Sequence, residues 1–242
     1  MEEHGEVAVV RIDRPPANAL DPAFLSESAT FLDDLRSRDP GAVVITGRDG
    51  FFSAGADLKV VPSLDAAGQA AMVDGINRLF AGWYSFPRPV VCAVNGHAIA
   101  GGMILALCGD YRVGCDSGKL GLTELRAGIP YPACAIAVVK AELSAAAARV
   151  LVLRAELLSP ADALALGALD ELVSPDAVLP RAVEVASEMA ALPRSAYPIV
   201  KKQLRRETLD LLAAVVSGRA DPVAAGWVST ETASASAAIL NS

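Results

Sequence analysis

Two segments of this chain set glycine and alanine against short apolar runs: Phe52-Ser53-Ala54-Gly55-Ala56-Asp57-Leu58 and Ala98-Ile99-Ala100-Gly101-Gly102-Met103-Ile104-Leu105-Ala106-Leu107-Cys108. Residues this small leave the backbone bare, so it can come close to a ligand. One N–H from each segment would hold a single oxygen between them. Preorganised amides of this kind stabilise an oxyanion developing on a carbonyl, and losing one donor typically costs about 3 kcal/mol of barrier. A helix beginning near Gly101 would add its positive end. Small residues also let helices and strands pack closely, so the pairing of the two segments, rather than either alone, points to chemistry.

Other catalytic arrangements find little support. His4 and His97 are the only histidines, and a Ser-His-Asp triad would have to use His97, where no nucleophile-elbow spacing is present. Cys92, Cys108, Cys115 and Cys134 stand in apolar surroundings without a Cys-x-x-Cys spacing, which suits buried reduced thiols better than a metal site or a disulfide framework. The net charge of -7 disfavours nucleic acid and anionic membrane, because both demand a basic surface. Lys201, Lys202, Arg205 and Arg206 form one modest basic cluster, which at helical spacing reads as a solvated face or a phosphate contact.

The elements that must position such a site follow from composition and pattern. With 242 residues, 53% of them hydrophobic and 20% charged, the chain can bury a full core as one domain. Its apolar runs fall well short of the ~20 residues a spanning helix needs, and no N-terminal apolar h-region is visible, so a soluble cytoplasmic protein is expected. Strands are expected at Val7 to Ile12, Ala42 to Thr46, Val90 to Val94 and Tyr111 to Val113, with a helix over Pro22 to Arg36 capped by Asp21. Alternating strands and helices argue for an α/β layer fold. After Pro132 the pattern turns helical over Ala133 to Leu153, Pro160 to Leu166, Leu179 to Leu192 and a last helix from Tyr197 to Val216, with one strand at Leu169 to Val173. Residues 1–192 are read as the core and 193–242 as a C-terminal helical region, whose alanine and leucine stripes call for a partner to cover them.

Four motifs in order give the chain a family resemblance: Arg14-Pro15-Pro16-Ala17-Asn18-Ala19-Leu20, Phe52-Ser53-Ala54-Gly55-Ala56-Asp57-Leu58-Lys59, Pro89-Val90-Val91-Cys92-Ala93-Val94-Asn95-Gly96 and Gly121-Leu122-Thr123-Glu124. The chain resembles the crotonase superfamily, also called the enoyl-CoA hydratase/isomerase family. That resemblance implies a spiral of ββα units with a helical C-terminal portion, assembled as a homotrimer or a dimer of trimers, and a trimerising or pocket-covering role for residues 193–242. It implies an acyl-CoA thioester of fatty acid metabolism as substrate, with coenzyme A part of the substrate and neither metal nor other cofactor. The family's oxyanion hole carries over onto the amides of Ala56 and Gly101. Its CoA-binding places match Pro16, Ala17 and Asn18 and the stretch Ala54 to Leu58, with Lys59 as a phosphate or ribose contact. Asp57, after a tight Gly-Ala turn, reads instead as bonding nearby backbone.

The resemblance also narrows the reaction. Hydratases of the family use two glutamates, the first three residues beyond the oxyanion-hole glycine. Three residues along a helix return to the same face, and this chain has Ile104 there. Isoleucine neither positions nor deprotonates water, so one carboxylate remains, Glu124, matching the second glutamate. Burial beside Ile104 should raise its pKa and suit it to both taking and giving a proton, whereas pairing with Arg126 would make it merely structural. The expectation is isomerisation of a 3-enoyl-CoA to a 2-enoyl-CoA, with a one-glutamate hydratase and an acyl-CoA-binding protein that has lost catalysis as alternatives. Tyr131 is a candidate pocket wall or a buried structural tyrosine. Acyl specificity should rest on the segments Pro62 to Phe86 and Tyr131 to Ala141, whose pocket shape the sequence leaves open.

Overall fold

The polypeptide moves back and forth between two β-sheets as it winds. The computed structural model describes residues 1–48, 50–219 and 221–241. It begins with β1 (Glu2–His4), β2 (Val7–Arg11) and α1 (Pro22–Arg38). A ββα turn then repeats: β3 (Ala42–Thr46), β4 (Phe51–Ser53), α2 (Ala66–Tyr84); β5 (Val90–Val94), β6 (His97–Ile99), α3 (Gly101–Leu107); β7 (Tyr111–Cys115), β8 (Leu120–Gly121), α4 (Ala133–Glu142). The first strand of each turn enters a six-stranded sheet of order β1-β2-β3-β5-β7-β10, and the second enters a four-stranded sheet of order β4-β6-β8-β9. The sheets are completed by α5 (Ala145–Ala148), β9 (Leu157–Leu158), α6 (Pro160–Ala165), β10 (Glu171–Val173) and α7 (Val178–Ala190). The chain then continues through α8 (Tyr197–Leu204), α9 (Arg206–Val216) and α10 (Thr230–Leu240). The expected α/β spiral with a helical C-terminal portion is therefore present.

Strands β2, β3, β5, β7 and β10 run parallel, and the two central ones, β3 and β5, are buried at every position, which explains why they read as nearly unbroken apolar runs: both faces are covered. Val7, Val9, Val44, Val91, Ala93 and Val113 point to one face, where Val178, Ala182, Val185 and Ala186 of α7 pack on them. Ala8, Val43, Ile45, Val90, Cys92 and Val94 point to the other, into the main core shared with α1, α2, α3 and α4. All four cysteines are free and buried. Among the described residues, no helix is long and apolar enough to cross a membrane.

Local chemistry sets the element boundaries. Asp21 caps α1 as its sequence suggests, its Oδ1 accepting from the Phe24 amide at 2.7 Å, with Pro22 opening the helix. The continuous helix expected from Ala133 to Leu153 is instead divided. Leu143 is extended (φ -113°, ψ 143°), and Ser144 caps the next turn by accepting from the Ala147 amide at 3.2 Å.

The helix expected from Tyr197 to Val216 is likewise broken, at Arg205, and the basic cluster there is not a solvated face. Lys201 and Arg205 are buried, leaving Lys202 and Arg206 outside. Lys201 Nζ lies 2.7 Å and an Arg205 terminal nitrogen 3.2 Å from the Asp110 carboxylate. Arg205 also donates to the carbonyls of Tyr84 and Gly109 at 3.0 and 3.1 Å, and burial pushes the Lys201 ammonium below its ordinary pKa despite Asp110. Two cations turned inward on Asp110, with Arg205 also 3.5 Å from the Glu142 carboxylate, peg α8 and α9 to the start of β7 and the end of α4.

Beyond α9 the chain turns back on itself. Asp221 accepts from Asn77 Nδ2 of α2 at 2.8 Å and from the Ala133 amide at 2.7 Å, so it satisfies an otherwise orphaned donor at the start of α4. Trp227 is buried, and α10, which the sequence pattern did not suggest, follows it.

Candidate active site

The three residues placed at the centre of the site share a topological position. Ala56 lies three residues beyond β4, Gly101 two beyond β6, and Glu124 three beyond β8. Strands β4, β6 and β8 are neighbours and parallel, pairing Phe51 with His97, Ala98 with Leu120 and Ile99 with Gly121. One turn of the spiral after another therefore delivers a functional group to the same end of the small sheet, the carboxyl end where ligands bind in parallel α/β folds.

Close backbone contact brings the first two together. The Leu20 amide donates to the Gly55 carbonyl at 2.7 Å, and the Asp57 amide donates to the Leu20 carbonyl at 3.0 Å. This parallel bridge on Ala56 leaves the N–H of Ala56 itself directed away from Leu20. Gly55 has φ 77°, and a Cβ there would stand 2.7 Å from the Gly101 nitrogen. A Cβ on Gly102 would lie 2.1 Å from the Ser53 carbonyl oxygen, so only glycine lets α3 start against β4. Gly101 opens α3, and its N–H therefore has no intrahelical acceptor. Just before it, Ala100 holds φ 52° and ψ -126°, a conformation that L-residues rarely adopt, while its amide donates to the Gly121 carbonyl at 2.7 Å. The peptide that presents Gly101 is thus bent at an energetic cost and tied to β8.

Ala56, Gly101 and Glu124 line one cavity of about 340 Å³, together with Pro16, Ala17, Ala54, Leu58, Lys59 and Ile104. Ile104, one helical turn on from Gly101, is buried in the wall. Glu124 is buried as well, and its Oε2 has no hydrogen-bond partner. Burial pushes the carboxyl up to about 7, while the neighbouring Tyr131 hydroxyl pulls the other way. No ion pair with Arg126 forms among the described residues, and Arg126 is exposed. Lys59 is exposed at the rim, and Asp57 bonds nearby backbone as expected, its Oδ1 accepting from the Lys59 amide at 2.9 Å.

Two expected contacts are not walls of this cavity. Asn18 is buried in the loop itself, where its Nδ2 donates to the Phe51 carbonyl at 2.8 Å and its Oδ1 accepts from the Arg14 amide at 2.9 Å. With those bonds it holds Pro16 and Ala17 against β4. Tyr131 stands behind Glu124, its hydroxyl donating to the Leu122 carbonyl at 3.3 Å. Conversely, Ile76 and Phe80 of α2, Ile129, and Trp227, Ile239 and Leu240 from the C-terminal stretch line the cavity without having been singled out. Ile76 and Phe80 fall within a segment read as shaping the pocket; nothing local marks the other four. Among the described residues, no group of three or more His, Cys, Asp or Glu is placed to hold a metal ion.

A ββα spiral that delivers two amides and a buried carboxyl to one apolar cavity is the architecture of the crotonase fold. The crystal structure of human mitochondrial delta3-delta2-enoyl-CoA isomerase superposes with a TM-score of 0.89 at 27% identity, covering 98% of this chain and 93% of that one. The family model for enoyl-CoA hydratase/isomerase matches residues 2–226, and the chain belongs to that family. A Thermus thermophilus relative with enoyl-CoA hydratase in its name is 37% identical over 208 residues, 84% of this chain and 81% of its own length. The mouse mitochondrial enoyl-CoA delta isomerase 1 is 32% identical over 210 residues, 85% of this chain and 73% of its own. The protein is accordingly an enzyme of the crotonase superfamily.

Proposed function

We propose that this enzyme isomerises 3-enoyl-CoA to 2-enoyl-CoA with a single proton-carrying group. The observation that carries the proposal is Ile104. It stands one helical turn on from Gly101 in the cavity wall, buried and apolar, and among the described residues leaves Glu124 as the one buried carboxyl lining the site. Hydration needs a water held and deprotonated on one side while a proton is delivered on the other, a task suited to two carboxylates. Moving a double bond needs one group that takes a proton and returns it.

In this reading the thioester oxygen sits between the amides of Ala56 and Gly101, which strengthen as charge gathers on it. Ionised Glu124 takes a proton from the carbon between the carbonyl and the double bond. The electron pair spreads through the double bond to the oxygen as a dienolate, and protonated Glu124 returns the proton two carbons further on. The product is conjugated, and Glu124 is again ionised. A pKa near 7 suits both halves of this cycle, because neither form of the carboxyl is held too tightly. Lys59 at the rim serves the phosphate or ribose of coenzyme A, and Pro16 and Ala17 flank its path.

The test is turnover of purified enzyme on 3-enoyl-CoA, followed by the absorbance of the conjugated product and by mass spectrometry. A conjugated product with no added water supports the assignment. Fast hydration of 2-enoyl-CoA without isomerisation would favour a one-glutamate hydratase instead. Glu124→Gln should lower kcat by at least a thousandfold while acyl-CoA still binds.

A further inference from the structure

The cavity has an exposed rim at Lys59, Ile239 and Leu240 and a buried floor that the sequence motifs do not reach. That floor is formed by Ile76, Phe80, Ile129 and Ala135, none more than 5% exposed, and by Trp227, which is 1% exposed. Trp227 is the largest of these side chains and comes from a segment more than ninety residues from the others' nearest neighbour in the chain, Ala135. Its Nε1–H donates to the Pro130 carbonyl at 2.9 Å, so the one polar atom of the indole is already satisfied and the ring adds only apolar surface to the cavity.

The backbone on either side of it is clamped. Upstream, Asp221 binds Asn77 and the start of α4, and its Oδ1 accepts from the Val223 amide at 3.1 Å. Downstream, the Val228 amide donates to Gln69 Oε1 of α2 at 3.1 Å, and Thr232 Oγ1 donates to the Gly128 carbonyl at 3.0 Å. An indole held on both flanks and at its own nitrogen cannot swing aside at little cost.

We infer that Trp227 is the end stop of the acyl chain and that it confines the enzyme to acyl-CoA thioesters of short to medium length. The inference rests on the acyl-CoA reading above and adds to it which residue sets the length. A volume of about 340 Å³ is at the small end of ligand cavities, which run from roughly 300 to 1,000 Å³. Each methylene that gains apolar wall raises affinity about fourfold. That gain ends where the chain meets the indole.

Isothermal titration calorimetry of the full chain with saturated butanoyl-, octanoyl-, dodecanoyl- and hexadecanoyl-CoA tests this without requiring turnover. For the unaltered enzyme, affinity rises from butanoyl to octanoyl and gains nothing further by hexadecanoyl. Trp227→Leu raises the ratio of dodecanoyl to butanoyl affinity at least tenfold, and Trp227→Phe raises it by less. Ala135→Leu fills the same end from α4, leaves the Trp227 clamp in place and lowers the ratio of octanoyl to butanoyl affinity about tenfold, so the inference stays testable if the Trp227 variants do not fold. Ratios unchanged in every folded variant, or affinity climbing through hexadecanoyl in the unaltered enzyme, would overturn the end stop alone. No binding of any acyl-CoA would overturn the acyl-CoA reading and the end stop with it.

Discussion

Glu124 has a stability consequence that can be measured without substrate. Its carboxyl titrates near 7 in the folded chain against an ordinary 4.5, because burial disfavours its charge. A group whose pKa is raised by folding contributes stability that is fully present below its unfolded pKa and is lost as pH rises through the folded one. The shift of about 2.5 units corresponds to about 3 kcal/mol at 1.36 kcal/mol per unit, nearly all of it lost between pH 4.5 and 8. Glutamine has nearly the same shape and never ionises. The difference in unfolding free energy, Glu124→Gln minus wild type, should therefore grow in favour of the variant by 2 to 3 kcal/mol (about 2.5) from pH 5 to pH 8. Urea unfolding of both proteins at four pH values and one fixed concentration reads this directly, since every other titrating group cancels in the difference. Parallel stability curves for the two proteins would refute a buried, raised carboxyl and with it the proton shuttle as argued.

Further outcomes follow from other residues. The pH profile of kcat/KM should rise with an apparent pKa near 7, because ionised Glu124 starts the proposed reaction; a flat profile from pH 5 to 8 would remove it from that role. Ala100→Gly relieves a conformation that costs about 1–3 kcal/mol against an entropic penalty of about 0.5–1, so a thermal melt should show a net gain of about 1 kcal/mol. Asp110→Ala strands the buried Lys201 charge, leaves Arg205 only the Glu142 carboxylate at 3.5 Å, and should cost about 3–5 kcal/mol in denaturant unfolding. Leu204 is 84% exposed beside Ile199 and Val200 on α8, an apolar strip that a second subunit would cover. Sedimentation should show a trimer or a dimer of trimers for the wild type and smaller species for Leu204→Glu.

What could be read ahead of the structure divides by the range of the interaction. The N-cap at Asp21 and the strands Ala42–Thr46 and Val90–Val94 are written in neighbouring residues, and the structure reproduces them. Strands β4, β6 and β8, of three, three and two residues, are too short for a period of two to show. Their order in the small sheet is what gathers Ala56, Gly101 and Glu124, and only the family motifs hinted at it. Lys201 and Arg205 looked like a wet face because their partner Asp110 is remote in sequence and no helical pattern registers it. The same holds for Trp227, whose bond to Pro130 spans 97 positions, and for Asp221, which meets Asn77 across 144. Asn18 had the right loop but the wrong partner: its amide serves the backbone that shapes the loop.

In the proposed reaction, the placement of one group at the end of each of three adjacent strands separates holding the thioester from deciding its fate. The two grips proposed for it are main-chain amides, which no substitution except proline deletes as long as the backbone keeps its path. The proposed chooser is a side chain, Glu124, and in that reading it works alone because of another, Ile104, on a helix whose start is fixed by Gly102 against β4. Chemistry in such a scaffold can drift by single replacements that leave the grip untouched. A carboxylate at position 104 would meet the same cavity and the same held oxygen, and would bring to it a second place to anchor water.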